Sequence, residues 1–208
     1  MDRIRAIQSV NEIKELMERS SKFVSLSGLT GILIGVYAFI GAWLVNSLTG
    51  IPFVNNPGSH RLLSFSDTRI ITIVIAGCVI AASLISTFLI SYYKSIKAKQ
   101  KLLNKLIYRL IWNFGLPLFV GGVFCIALLY NRNYGLTSTV MLLFYGFALV
   151  NVSKYTFSNV GWLGYAFLSL GLVDAFFEGN ALLFWTIGFG GFHIIYGVLF
   201  YFLYEKNK

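Results

Sequence analysis

The chain has 208 residues, of which 57% are hydrophobic and only 12% charged, and its formal net charge is +9. Its mean hydropathy is +0.73. Because roughly a quarter of the residues in soluble domains are charged, this composition excludes a soluble globular domain and indicates an integral membrane protein.

Six long apolar stretches fill most of the sequence, and they run over residues 24–46, 70–92, 111–130, 136–153, 160–177 and 181–204. Each is close to the ~20 residues that cross a ~30 Å hydrocarbon layer as a helix. We therefore predict an all-α fold with one transmembrane domain of six helices over residues 24–208.

Residues 1–23 precede the first stretch and are polar, with mixed charge. Their apolar residues recur at helical spacing, which predicts a cytoplasmic amphipathic helix on the membrane surface or docked beneath the bundle. A helix that mediates dimerisation or binds a partner is the alternative. This long polar segment before the first span also indicates that the span is retained and is not a cleaved signal peptide.

Small residues line one side of the first span, namely Ser27, Gly31, Gly35, Ala38 and Ala42. Such a side lets helix backbones approach closely in lipid, so we predict a tight helix contact there, with a homodimer seam as the alternative. The loop over residues 47–69 is rich in turn formers but also carries apolar side chains. It is expected to rest on the bundle, or to form a lid over a cavity.

A basic segment follows the second span, with six bases and no acid between Lys94 and Arg109. On a helix, four of its lysines would share one face: Lys94, Lys97, Lys101 and Lys105. This face is a candidate contact for anionic lipid headgroups. The alternatives are that these bases are merely the orientation signal of the cytoplasmic side, or that they contact a protein. Nucleic acid is not an expected partner, because the segment has no recognition fold.

The fifth and sixth spans are joined by Gly179 and Asn180, which favour a tight turn with glycine after one helix and asparagine capping the next. This hairpin would set His193 at the depth of Tyr165. His193 shares a helix face with Thr186 and Tyr196. We therefore predict a polar pocket made of these four side chains.

Other polar groups at depth are few. Four tyrosines lie deep in predicted spans, where each hydroxyl needs a partner: Tyr37, Tyr145, Tyr165 and Tyr196. Asp174 and Glu178 form a candidate acidic site at the outer end of the fifth span, and their simplest role is solvation at the interface. Charge within the bilayer is costly, which is why such residues are functional candidates.

No catalytic, cofactor or metal-binding motif stands out. His60 is the only other histidine, and both cysteines lie inside predicted spans. The sequence thus favours a non-catalytic membrane protein that acts through lipid or protein contacts. A small-solute or ion transporter or channel that uses the pocket near His193 is the alternative, and an intramembrane enzyme is a minor one.

Basic residues give the orientation. With six spans, 14 of the 17 bases lie on the side of both termini, whereas Arg61, Arg69 and Arg132 lie on the other. Basic residues favour the cytoplasmic side, so we predict a multi-pass protein of the inner (cytoplasmic) membrane with both termini inside.

Reporter fusions test this orientation. A topology reporter after Lys208 should report the cytoplasm, and one inserted near Gly58 should report the opposite compartment, because of the basic asymmetry. If both reporters were found on one side, the six-span arrangement would be wrong.

Overall fold

The computed structural model describes residues 27–55, 63–97, 105–156, 159–177 and 179–206. These residues form six helices joined by turns, with no strand among them. The helices are α1 (Gly28–Thr49), α2 (Phe65–Lys97), α3 (Lys105–Tyr130), α4 (Thr137–Val152), α5 (Asn159–Asp174) and α6 (residues 181–205). Short 3₁₀ turns at Tyr134–Leu136 and Ser153–Tyr155 flank α4.

The chain is therefore an all-helical protein of long apolar helices, as expected of a helical membrane protein. Five segments are long and apolar enough to cross a bilayer, and they are Gly28–Thr49, Ser66–Lys94, Tyr108–Tyr130, Tyr134–Tyr155 and Ala181–Leu203. The remaining helix, α5, has 16 residues, which is about 24 Å of helix at 1.5 Å per residue. The predicted helix at residues 1–23 lies outside the described residues.

Two helices extend past the predicted spans. α2 has 33 residues and ends at Lys97, and α3 begins at Lys105. The two ends of the basic segment therefore continue these two helices. Lys101 lies outside the described residues, so the shared lysine face stays a prediction.

The sixth helix changes its winding along its length. It is α-helical over Ala181–Trp185 and His193–Phe200, and π-helical over Thr186–Phe192 and Tyr201–Glu205. π-Helical turns are rare and widen the helix locally. The first π segment ends directly before His193.

Packing divides the helices into two groups that α6 connects. α1 lies against α2 and α6, while α4 lies against α3, α5 and the N-terminal end of α6. An apolar core forms between α4 and α5 around Leu142, Leu149, Leu163 and Phe167, and aromatic side chains of α6 cover it.

The α1–α6 contact is made by glycines. A Cβ atom on Gly28 would lie 2.5 Å from the carbonyl oxygen of Gly197, and one on Gly35 would lie 2.6 Å from that of Gly190. A Cβ atom on Gly31 would lie 3.0 Å from Cα of Gly197. The predicted tight contact of the first span is confirmed, and its partner is α6 of the same chain.

The turn that follows α1 packs against the turn that precedes α6. Gly50 ends α1 with φ 73°, and the Asn55 N–H donates a 2.7 Å hydrogen bond to Oδ1 of Asn180. The loop therefore rests on the α5–α6 hairpin, as predicted, for the part of it up to Asn55. Asn180 does not cap α6 with its side chain, because that side chain holds Asn55 instead. Gly179 has the expected positive φ, at 93°.

The glycine contact can be tested with two alanine substitutions. Gly197→Ala should lower the free energy of unfolding by about 1–3 kcal/mol, because the new Cβ overlaps the α1 backbone. Gly77→Ala in α2 is the control, since nothing lies within 4 Å of its Cβ position. Thermal unfolding in detergent should separate the two variants. Equal melting temperatures would show that α1 and α6 do not approach this closely.

Candidate functional site

His193 lies inside the bundle and is only 3% exposed. Its Nε2 atom is 2.7 Å from the hydroxyl of Tyr145 in α4. The carbonyl groups of Gly188 and Phe189, one turn earlier in α6, stand beside the ring, although neither meets full hydrogen-bond geometry with Nδ1. Carbonyls only accept, so this arrangement suits a neutral imidazole with its proton on Nδ1 and the Tyr145 hydroxyl donating to Nε2.

Aromatic rings surround this pair. The ring centroid of His193 is 5.4 Å from that of Phe167 and 6.2 Å from that of Phe189, whose plane is nearly parallel. The Tyr145 ring packs at 4.8 Å from Phe167 and 5.0 Å from Phe189. The hydrogen-bonded pair is therefore enclosed by apolar surface, which strengthens the bond and makes an unpaired partner costly.

Tyr165, the predicted partner of His193, lies on the exposed side of α5 and does not contact His193. Its side chain is 52% exposed and its ring lies 6.0 Å from that of Trp162. The inward face of α5 is set by Leu163 and Phe167, four residues apart, and Tyr165 lies two residues from each, on the opposite side of the helix. The predicted pairing was wrong because equal depth in the membrane does not give equal direction.

The other two members of the predicted pocket lie on the inward side of α6. Thr186 is buried, but its hydroxyl donates to the carbonyl of Leu182 in the same helix at 2.6 Å. Tyr196 packs on the apolar core, with its ring 5.8 Å from that of Phe200. The hydrogen bond at His193 is thus made by Tyr145, which sequence reasoning had noted only as a deep tyrosine in need of a partner.

A second polar cluster lies at the C-terminal end of α5. Asp174 is 2% exposed, and its Oδ2 accepts hydrogen bonds from Ser138 at 2.6 Å and Thr139 at 2.9 Å. Its Oδ1 has no hydrogen-bond partner among the described residues. Simple interfacial solvation of Asp174 was therefore the wrong expectation, because the first turn of α4 covers it. Glu178 lies outside the described residues.

A third cluster joins three helices at the opposite end of the bundle. Glu205 at the end of α6 pairs with Lys94 of α2 at 2.5 Å, and the same oxygen accepts the Gly28 N–H at the start of α1 at 3.2 Å. Burial of the Glu205 carboxylate would raise its pKa, but these hydrogen bonds and the charge of Lys94 outweigh burial and hold the pKa below its ordinary value.

Lys94 is one of the bases predicted to contact anionic lipid. In the structure it pairs with Glu205 of the same chain. Its side chain is nevertheless 39% exposed. The side chains of Lys97 and Lys105, like the whole of Lys101, lie outside what the structure describes.

The described residues offer no evident metal site. Within the described ranges, no group of three histidine, cysteine or acidic side chains is close enough to hold an ion. Cys78 and Cys125 are free thiols.

No family model matches the chain, and no curated protein or solved structure matches it either.

The Tyr145–His193 bond leads to a stability prediction. Tyr145→Phe should lower the free energy of unfolding by about 1–3 kcal/mol, because it leaves Nε2 of His193 buried without a donor. Tyr165→Phe removes the same atom from an exposed ring and should change stability little. The comparison is made by thermal unfolding of both variants in detergent. Equal effects would mean that the bond does not form.

The Glu205 cluster leads to a pH prediction. A carboxyl whose pKa is lowered in the folded protein stabilises it above the ordinary value of 4.5, and this contribution is lost as the pH falls through the lowered pKa. The melting temperatures of the parent protein and Glu205→Gln should therefore differ at neutral pH and converge in acid.

Charge reversal checks the same pair. Lys94→Glu should destabilise the protein at neutral pH by placing two carboxylates together. Adding Glu205→Lys should recover part of the loss, although the Gly28 N–H then remains without its acceptor. If the double variant were no more stable than Lys94→Glu, the two side chains would not be coupled.

Proposed function

We propose that the protein is an integral membrane protein without catalytic activity, which acts through contacts with lipid and with protein partners. The observation that supports this most directly is the way His193 is bound. Its imidazole is paired with Tyr145 inside a shell of aromatic rings. A histidine held in this way connects α6 to α4 and leaves its polar atoms little room for cargo.

The outer surface of the helices also supports this proposal. The apolar stretch of α2 has none of its residues buried, and it exposes large side chains such as Ile73, Leu84 and Phe88. α3 exposes Phe119 and Ile126 in the same way. These surfaces suit lipid chains and the helices of partner proteins, and a second copy of this chain is one such partner.

We further propose six crossings of the inner (cytoplasmic) membrane, with both termini inside. The excess of bases on one side supports this orientation. Glu205, Lys94 and Gly28 come together at one end of the bundle, and the Asn55–Asn180 contact lies at the other. This separation agrees with the end assigned to each in the six-span arrangement.

Transport of a small solute or ion is the second candidate, and one observation favours it. Asp174 is a buried carboxylate with an oxygen that has no hydrogen-bond partner in the described part of the chain. Such a group is costly in a membrane and is often kept for ion or proton binding. Its position at the outer end of α4 and α5 would make it an entry site.

Flux measurements on vesicles separate the two candidates. The purified protein is reconstituted into liposomes that contain a pH-sensitive dye, and H⁺, Na⁺ and K⁺ gradients are imposed with and without a membrane potential. We expect the same rates as in protein-free liposomes, because His193 and its partner hold the interior closed.

Matched variants make the opposite result interpretable. Asp174→Asn removes the buried carboxylate, and Asp67→Asn removes an exposed one near the start of α2. Flux above the protein-free rate that is lost in Asp174→Asn but kept in Asp67→Asn would establish transport in place of the contact role.

A further inference from the structure

A groove of about 240 Å³ lies between α5 and the second half of α6. Leu163 and Phe200 form its floor and are buried, whereas Trp162, Ile195 and Leu199 stand at its edges and are more than half exposed. The groove therefore opens sideways, toward the surroundings of the bundle.

The groove exists because α5 and α6 diverge. α5 contacts Ala181–Trp185 and Thr186–Phe192, but it hardly contacts His193–Phe200. That part of α6 lies against α1 instead, where Gly197 meets Gly28. The wedge between the two helices widens toward the end that carries Glu205.

The length of the groove matches the thickness of the hydrocarbon layer in one leaflet of a bilayer. The lining of α5 runs from Ala166 to Asn159 and that of α6 from Phe192 to Leu203, which correspond to about 10 and 16 Å of helix. Half of a ~30 Å hydrocarbon core is ~15 Å. A spanning helix of a partner protein would need a groove of twice this length, whereas an acyl chain from one leaflet fits it.

The charges at this end fit an anionic headgroup. Lys154 precedes the start of α5 by five residues and Lys206 follows Leu203 by three, and both are exposed. Glu205 is the one acid at this end among the described residues, and Lys94 already pairs with it. Exposed bases at the membrane surface attract anionic lipids.

We propose that this groove binds an acyl chain of an anionic phospholipid from the cytoplasmic leaflet, with the phosphate held between Lys154 and Lys206. The inference rests on the proposed function, since it names one of the lipids through which the protein would act. It also gives that lipid a defined site, which the general proposal does not.

Native mass spectrometry of the detergent-solubilised protein tests the headgroup. The probes are dioleoylphosphatidylglycerol, dioleoylphosphatidylcholine and glycerol phosphate. We expect the anionic lipid to bind about 30-fold more tightly than the zwitterionic one, from two bases near the phosphate. Glycerol phosphate should not compete, because it has no chain for the groove.

Paired variants locate the headgroup. Lys154→Gln with Lys206→Gln should remove the preference for phosphatidylglycerol. Arg69→Gln with Arg132→Gln removes two bases from the other end and should keep it. Equal binding of both lipids by the parent protein, or loss of the preference in both double variants, would overturn the proposal.

A filling substitution tests the chain site. Ala166→Trp places an indole in the groove and should lower phosphatidylglycerol binding at least as much as the loss of both lysines. Ala81→Trp, at an exposed alanine of α2, is the control and should bind lipid normally. Equal binding by the two variants would contradict an acyl chain in the groove.

Cross-linking gives the same answer without a substitution. Phosphatidylglycerol with a photoreactive group on its acyl chain should label Trp162, Ile195 or Leu199 in the parent protein. Labelling confined to α2 and α3, or cross-links from these positions to a second copy of the chain, would refute the site. Either result leaves the flux experiment unaffected, so this inference can fail while the proposed function stands.

Discussion

The close approach of α1 and α6 determines how the other helices pack around them. The Gly28 and Gly197 backbones meet with no space for a single side-chain carbon between them. Helices in lipid gain little from the hydrophobic effect, so close backbone packing is the main attraction available to them. Because α6 is drawn toward α1 over His193–Phe200, it leaves α5 there. Over its N-terminal half, α6 remains against α4 and α5, and it connects the two groups of helices.

Polar pairs then fix which helices are neighbours. Tyr145 bonds to His193 between α4 and α6, Ser138 to Asp174 between α4 and α5, and Tyr37 to Ser86 between α1 and α2. Interhelical hydrogen bonds in membranes contribute about 0.6 kcal/mol on average. Their main effect is therefore to penalise other arrangements, because each alternative would leave a polar atom without a partner in an apolar medium.

Much of this fold could be predicted from the sequence, because hydropathy and residue size act along a single helix. The long apolar stretches gave the helices, and the small residues around Gly31 and Gly35 gave the side of α1 that packs. The sequence did not reveal which helix would meet that side. Depth alone suggested Tyr165 as the partner of His193, but the direction of a side chain depends on packing between α4 and α5, which places Phe167 inward.

Asp174 shows the same limit. A carboxylate near a helix end looks like an interfacial residue, and only the three-dimensional fold brings the hydroxyls of Ser138 and Thr139 over it. The run of hydroxyl residues at the start of α4 was the available signal, since such side chains need acceptors when buried. The π-helical segments of α6 left no comparable signal beyond the glycines Gly188, Gly190 and Gly191.

The groove follows from these same contacts. Glycine packing and the Glu205–Lys94–Gly28 cluster hold the C-terminal half of α6 to α1 and α2, so the side chains of α6 that line the groove do not fill the space between them and α5. An empty wedge would deprive its lining of van der Waals partners on one side. In a bilayer the molecules that can supply those partners are the lipid chains themselves. In the lipid site that we propose, the exposed bases beside the groove would select the anionic lipid, because the acid nearest to them already pairs with Lys94.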